Sequence, residues 1–286
     1  MFDCTNMLSL LLGVKANALI KLFKTNTLTP YCMGNIAKRH KYILDTLKKD
    51  GFAKVQDLSE SLGVSEVTIR KDLRILESKK LLIRNHGSAS ALSSLITDRH
   101  IDEKEKCNIE EKRRIAEAAN AILETNDKII IASGTTLLTF ANHIDIQKHL
   151  TAITSSVKVS LTLCYHPNIE VVQLGGNLRK NSVSVVGHYA EQILSTLSCN
   201  KLFIGVDGID LNYGLTTSNM NEAYINQKMI EVSDKVIVLT DSSKFGQRGF
   251  CKICDFDNIH HIITDTNAPA HMVELIREKG IEVTLV

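Results

Sequence analysis

The chain has 286 residues, 44% hydrophobic and 23% charged, which is an ordinary composition for a soluble globular protein and length enough for two domains. Its seven cysteines are odd in number and irregular in spacing, which excludes a disulfide-stapled secreted scaffold and points to a reducing, cytoplasmic setting. The net charge of +2 divides unevenly, into +2 over residues 1–33, +5 over 34–90 and −5 over 91–286, the pattern of a basic head for a polyanion on an acidic body with another task.

Residues 1–33 contain the apolar run MLSLLLGVKANALI. Lys15 interrupts it and no basic n-region or cleavage site flanks it, so it does not read as a secretory signal, and it is too short and too charged to span a bilayer. We expect a weakly ordered extension here; an amphipathic membrane-surface helix is the poorer reading, and Met33 is a natural alternative start. From Ile36 to Leu47 apolar residues recur at helical spacing, and Gly51 stops the segment. A second helix is expected over Val55–Leu62, ended by Gly63, and a third from the N-cap Ser65 to about Ser78. LLIRNHGSAS then reads as strand, turn and strand, a wing. Residues 34–90 thus form a winged helix-turn-helix domain, 91–106 a polar linker, and 107–286 a second domain.

Beyond the linker, helix and strand signals alternate. Helices are expected at Lys112–Leu123, after SGTT, around Val157–Tyr165, Ser184–Ser195, Glu222–Val232 and Ala270–Lys279. Strands are expected at KIIIA, TAITS, IEVVQLGG, KLFIGVDG, KVIVLTD, HHIITD and IEVTLV. The fold class is therefore two-domain α/β, with a mainly parallel sheet covered on both faces in the C-terminal domain. Ligands of such sheets bind outside the carboxyl ends of the strands.

The third helix of the head, within GVSEVTIRKDLRILE, carries its apolar residues Ile69, Leu73 and Leu76 on one face, for packing. The opposite face holds Val67, Lys71, Arg74 and Ser78, with Thr68 and Arg70 at its margins. Val67 is out of place on a merely solvated face, but in a major groove it can meet a thymine methyl while Thr68 and Lys71 address base edges. Arg70 and Arg74 are better placed for phosphates. Ser65, at the helix start, completes the candidate DNA-facing set.

In the body, SGTT (Ser133, Gly134, Thr135, Thr136) lies between a strand and a helix, where backbone N–H groups and hydroxyls can cradle a phosphate. Ser155 closes the next strand; Gly175 and Gly176 supply flexible backbone near Arg179, a candidate phosphate clamp. Asp207, Gly208 and Asp210 in DGID offer carboxylates to sugar hydroxyls, and Lys244 stands in DSSKFG. Each alone reads as a structural turn. Four at strand ends of one sheet point to one crevice.

Residues 36–90, and above all LSESLGVSEVTIRKDLRILESKKLLIRNHGSA, resemble the winged head of the DeoR family of bacterial transcription regulators, with TIRKDL and the Arg-x-His-Gly wing as the specific part. The resemblance implies that the third helix reads the major groove and that Arg84 and His86 are wing contacts. Where many relatives have two glycines in the wing, this chain has Gly87 and Ser88. Residues from about 105 to 286 resemble the effector domain of the same family, which is similar in fold to ribose-5-phosphate isomerase. The family usually has an acidic residue before the SGTT-type loop; here it is Ala132. IGVDGIDLNYGLTT and DSSKFG look closest to the branch of sugar-alcohol operon repressors, whereas SEVTIR is also similar to other branches.

The resemblance implies a repressor of a carbohydrate or sugar-alcohol utilisation operon, binding operator DNA as a homo-oligomer, dimer or tetramer, and released by a phosphorylated sugar or sugar alcohol, with no cofactor and no membrane. Two rival readings stand beside it. A sugar-phosphate isomerase with a DNA-binding head would need a carboxylate base and oxyanion stabilisers; Asp207, Asp210 and Glu222 are present, but NYGLTTSNMN lacks the lysine and glycine run of the isomerases resembled. A metal or redox sensor is prompted by Cys251, Cys254, His260, His261 and His271, but a structural zinc site needs four ligands and no second pair has zinc-finger spacing. Neither rival is the expected function: no catalytic residue and no metal ligand is assigned, and Glu222 is counted with the effector contacts.

Overall fold

Why the head holds together is legible first in its third helix. The computed structural model describes residues 36–50, 52–79, 81–85, 87–91, 98–145 and 147–286; the expected extension over 1–33 and the wing residue His86 lie outside the described residues. The head runs α1 (Ile36–Asp50), β1 (Phe52–Lys54), α2 (Val55–Leu62), α3 (Glu66–Ser78), β2 (Leu82–Asn85) and β3 (Ser88–Ala91). Helix α2 stops at Gly63, whose φ of +63° is the left-handed conformation that lets its N–H bond back to the last turn. Two residues on, the Ser65 hydroxyl accepts from the Thr68 N–H at 3.3 Å and starts α3. Ile69, Leu73 and Leu76 are buried with Ile43, Leu47, Leu58, Leu62 and Leu82 in one small core.

Two features of the head were not anticipated. Strand β1 adds to the wing hairpin, giving an antiparallel sheet in the order β1-β3-β2; three residues are too few to show a period. The second is Asp72, buried on the packing face of α3. The Arg39 guanidinium of α1 grips it with two hydrogen bonds, of 2.5 and 2.9 Å, and His40 adds a third contact at 3.2 Å. Burial opposes the charge on Asp72, but Arg39 and His40 outweigh it and hold the carboxyl below its ordinary range.

The body continues with α4 (Ile101–Glu105), α5 (Ile109–Ala121), β4 (Lys128–Ile131), α6 (Thr135–Asn142), β5 (Leu150–Thr154), α7 (Val157–Leu163) and β6 (Ile169–Gln173). Next come β7 (Asn177–Arg179), β8 (Ser184–Val186), α8 (His188–Leu194), β9 (Cys199–Ile204), β10 (Gly208–Asp210), β11 (Gly214–Thr217) and α9 (Met220–Glu231). The chain ends with β12 (Ser233–Leu239), β13 (Cys251–Cys254), β14 (His261–Thr264), α10 (Ala270–Glu278) and β15 (Glu282–Leu285). Seven strands form one parallel sheet in the order β15-β14-β12-β9-β4-β5-β6. Along β4, Ile129 and Ile131 join one core while Ile130 joins the other, so successive side chains feed opposite faces and both faces are covered.

The expected helix Ser184–Ser195 is in part a strand. Ser184, Val185 and Val186 pair with β7 as a hairpin, and the helix begins only at His188, after Gly187 with φ +97°. β-Branched residues suit the strand, and the glycine marks the change of direction. The expected strand KLFIGVDG likewise ends at Ile204, and Gly208 opens a separate antiparallel sheet, β10-β11-β13. A Cβ on Gly208 would lie 2.5 Å from the Gln247 carbonyl oxygen, so this approach of two backbones requires glycine.

Breaking the buried pair should cost the head most of its margin. Asp72→Asn, which takes the balancing carboxylate from Arg39 in a site where the two side chains are only 8% and 4% exposed, is expected to destabilise the head by about 3 kcal/mol. Glu66→Gln, which removes the exposed partner of Arg70, should cost less than about 1 kcal/mol. Urea denaturation of the three proteins checks the order.

Candidate functional site

The outward side of α3 is open. Val67 is 72% exposed, Lys71 and Arg74 are exposed, and among the described residues neither cation forms an ion pair. Thr68 is half-buried, its hydroxyl 3.0 Å from that of Ser65. Arg70 is tied to Glu66 one turn back and Arg84 of the wing to Glu77 at 3.0 Å, both at the surface, where a phosphate can compete for them. Seven of the eight residues expected to face DNA are therefore placed on α3, its cap or the wing, and His86 lies outside the described residues.

A second site lies in the body, where strand order reverses. The chain steps from β4 to β5 to β6 on one side and from β9 to β12, β14 and β15 on the other. Between β4 and β9 the connecting loops part, and a cavity of about 590 Å³ opens at the carboxyl ends of the strands. Ser133, Gly134, Thr135 and Thr136 enter it from the end of β4, Asp207 from β9, Asp241, Ser243, Lys244 and Gln247 from beyond β12. The β7–β8 hairpin brings Arg179, Asn181 and Ser182, and α9 brings Glu222 and Asn226.

Not every candidate reaches this cavity. Ser155 is buried and its carbonyl accepts from the Val185 N–H; Gly176 packs under Val185 and Val186, and Gly175 and Gly208 are outside the lining. Asp210 accepts from the N–H groups of Asn212 and Tyr213 at 2.9 and 3.0 Å, so its carboxylate caps its own turn. Ala132 is buried below the loop. Of the cysteines and histidines weighed as metal ligands, Cys251 and Cys254 lie on β13, where burial pushes the Cys254 thiol up to about 12. His260 Nδ1 accepts from the Val236 N–H at 3.1 Å, and His261 bonds Thr284.

The charges in the cavity are arranged in pairs. Lys104, from α4, donates to Asp207 at 2.8 Å, and Thr217 and Ser218 add further donors. Burial works against the Asp207 charge, yet Lys104 and Lys244 overcome it and hold this carboxyl far below its ordinary range. Glu222 goes the other way. Burial raises it despite Arg179, which donates at 3.1 Å, and nearby Asp207 adds to the rise. Asp241 accepts from Asn108 Nδ2 at 3.0 Å and is held low against burial by Lys244 and Ser243. Asn108, at φ +51°, is a residue type that tolerates that left-handed conformation.

Lys244 and Gln247 keep donors uncommitted. Lys244 has no ion-pair partner among the described residues, and Gln247, 6% exposed, has an Nε2 without a hydrogen-bond partner. Both share the cavity with the start of α6, where Gly134, Thr135 and Thr136 present helix-terminal N–H groups. Sequence reasoning found Lys244 and the loop. It missed Lys104, Asn108, Lys112, Asp241 and Gln247, and only Asp241, at the end of KVIVLTD, carried a usable signal there.

The profile of the DeoR C terminal sensor domain matches residues 107–285, and that of the DeoR-like helix-turn-helix domain residues 39–95. A protein of Escherichia coli O157:H7 named for repression of the aga operon is 37% identical over 87% of this chain and 94% of its own length. The HTH-type transcriptional regulator GlpR of Haloferax volcanii is 33% identical over 86% of this chain and 96% of its own. The glycerol-3-phosphate regulon repressor of Escherichia coli K12 is 27% identical over 87% and 98%. Among solved structures, ribose 5-phosphate isomerase A of Methanocaldococcus jannaschii aligns over 48% of this chain and 55% of its own at 15% identity, with a TM-score of 0.37.

Because the folded value of Asp207 is depressed, its pairing stabilises the protein fully above the ordinary carboxylate range near pH 4 and is lost as pH falls below it. Between pH 5 and pH 2 the wild type should therefore lose about 2 kcal/mol more stability than Asp207→Asn, measured from urea midpoints. Equal slopes would mean that the Lys104 contact is not made in solution.

Proposed function

The chain belongs to the DeoR family of transcription regulators, and on that premise we propose that it represses a carbohydrate or sugar-alcohol operon and is released by a phosphorylated sugar or polyol. The observation that carries the reading is that one cavity touches both domains. Ala53, Lys54 and Asp57 of the head line it together with the SGTT loop, and Lys54 meets Glu111 of α5 at 3.0 Å. A ligand there binds with an affinity that depends on how the head sits, and such a difference in affinity is what coupling requires.

In this reading the phosphate rests on the start of α6 with Lys244 and Gln247, while Asp207 and Glu222 address hydroxyls. Val67, Thr68 and Lys71 read bases, and Arg70, Arg74 and Arg84 hold phosphates. The domain division is 34–90 for DNA and 107–286 for effector. Two copies are needed for two half-sites, so the protein acts as a homo-oligomer, in the cytoplasm. Among the described residues no helix is long and apolar enough to cross a membrane. We assign no catalytic turnover, since Asp207 is clamped by Lys104 and Glu222 by Arg179.

Selection of binding sites from random DNA should show altered base preference for Thr68→Ala and Lys71→Ala. Arg74→Ala should instead weaken all sequences alike and lower the salt slope by about 1. Three variants behaving identically would refute the division of the helix faces.

For the effector, phosphorylated sugars and polyols are screened for thermal stabilisation, a ligand at 100 times its Kd being worth about 2.7 kcal/mol. Each hit is then tested for release of the selected DNA. Lys244→Met should abolish the stabilisation; a response that survives it moves the phosphate elsewhere. Conversion of an aldose phosphate to its ketose by the purified protein, lost in Glu222→Gln, would make it an enzyme.

A further inference from the structure

Residues 98–108 are laid along the body almost wholly by polar contacts. Ile101 is their buried apolar anchor, and its N–H bonds the Asn181 carbonyl at 2.7 Å. Around it, Lys104 meets Asp207 at 2.8 Å and Lys158 meets Asp102 and Glu105 at 2.7 and 2.6 Å. At the leading end the Asp98 carboxylate accepts from the Arg179 guanidinium and from Asn181 Nδ2, the latter at 3.1 Å.

Arg179 faces two ways. One of its terminal nitrogens holds Glu222 at 3.1 Å and the other holds Asp98, so a fork suited to two oxygens of one anion is divided between two carboxylates. The two partners are unequal. The Glu222 side chain is 12% exposed and that of Asp98 32%. Arg179 and Asn181 line the cavity, whereas Asp98 does not. A carboxylate that enters from outside the cavity and fills donors lining it has the position of a ligand.

We propose that Arg179 and Asn181 form a second anion subsite, filled by the chain's own Asp98 until an anionic group of the effector replaces it. The inference rests on the effector reading above and adds its regulation. A phosphate carries more charge than a carboxylate and has a further oxygen for Asn181, so it displaces the more exposed partner, Asp98, while Glu222 keeps the other terminal nitrogen. Asp98 belongs to the stretch that follows the wing, so its expulsion loosens the join between head and body. The ligand class that fits is a sugar or polyol with an acidic group at each end.

The test uses inorganic phosphate and the full chain, by calorimetric titration and hydrogen exchange. The wild type should bind one phosphate tightly, dependent on Lys244, and a second weakly. Asp98→Asn should strengthen the second about tenfold, if the subsite is open a tenth of the time in the wild type. Asp98→Asn combined with Arg179→Gln should lose the second site while keeping the first. In the wild type, saturating phosphate should speed exchange of the Ile101 amide, which bonds the Asn181 carbonyl. One Lys244-dependent phosphate in every variant, with exchange at Ile101 unchanged, overturns the second subsite and leaves the effector reading standing. No phosphate bound by any variant overturns both.

Discussion

Neighbouring parallel strands cannot be joined by a tight turn, so each crossover must leave the sheet and return over one face. A sheet that grows outward from β4 on one side and from β9 on the other is forced to part its connections between them. Everything chemical in the body depends on that parting. It sends the SGTT loop and the Asp207 loop away from each other, leaves the N–H groups at the start of α6 uncovered, and makes a space that the β7–β8 hairpin and α9 can wall but not fill. Two apolar cores, one on each face, hold the strands whose ends define it.

Into this space the chain places more charge than a structural cavity needs. Asp207, Glu222 and Asp241 are all largely shielded from water, and each is answered by a cation or donor from a distant part of the sequence. The answers are unequal. Asp207 stays strongly ionised, Glu222 is pushed towards neutrality, and Lys244 and Gln247 are left with donors to spend. The head uses charge differently. Among the described residues its one deeply buried carboxylate, Asp72, is sealed by Arg39 and His40, and the basic side chains of α3 stay at the surface.

Much of this could be read before any coordinates. The three head helices, the Ser65 cap and the face division of α3 follow from a 3.6-residue period and from capping chemistry, which are local. The strands β4, β5, β6, β12, β14 and β15 were legible because a buried parallel strand is a continuous apolar run. The misreadings have local causes too. Val185 and Val186 fit a helical spacing with Ala190 and Leu194, and only pairing with β7 makes them a strand. Asp210 looked like a sugar ligand because nothing in DGID says that its oxygens will cap the next turn.

By itself, then, the sequence determined the basic head and acidic body, the two faces of α3, the family motifs and the loops at strand ends, since each depends on residues within a few positions of one another. The tertiary structure decided which of those loops meet, that Lys104 rather than a nearby lysine answers Asp207, that Asp98 lies on Arg179, and that the head shares the cavity. The reason is physical. Buried charges take whatever partner the fold brings within about 3 Å, and across 81 or 103 residues of chain no periodicity records which partner that will be.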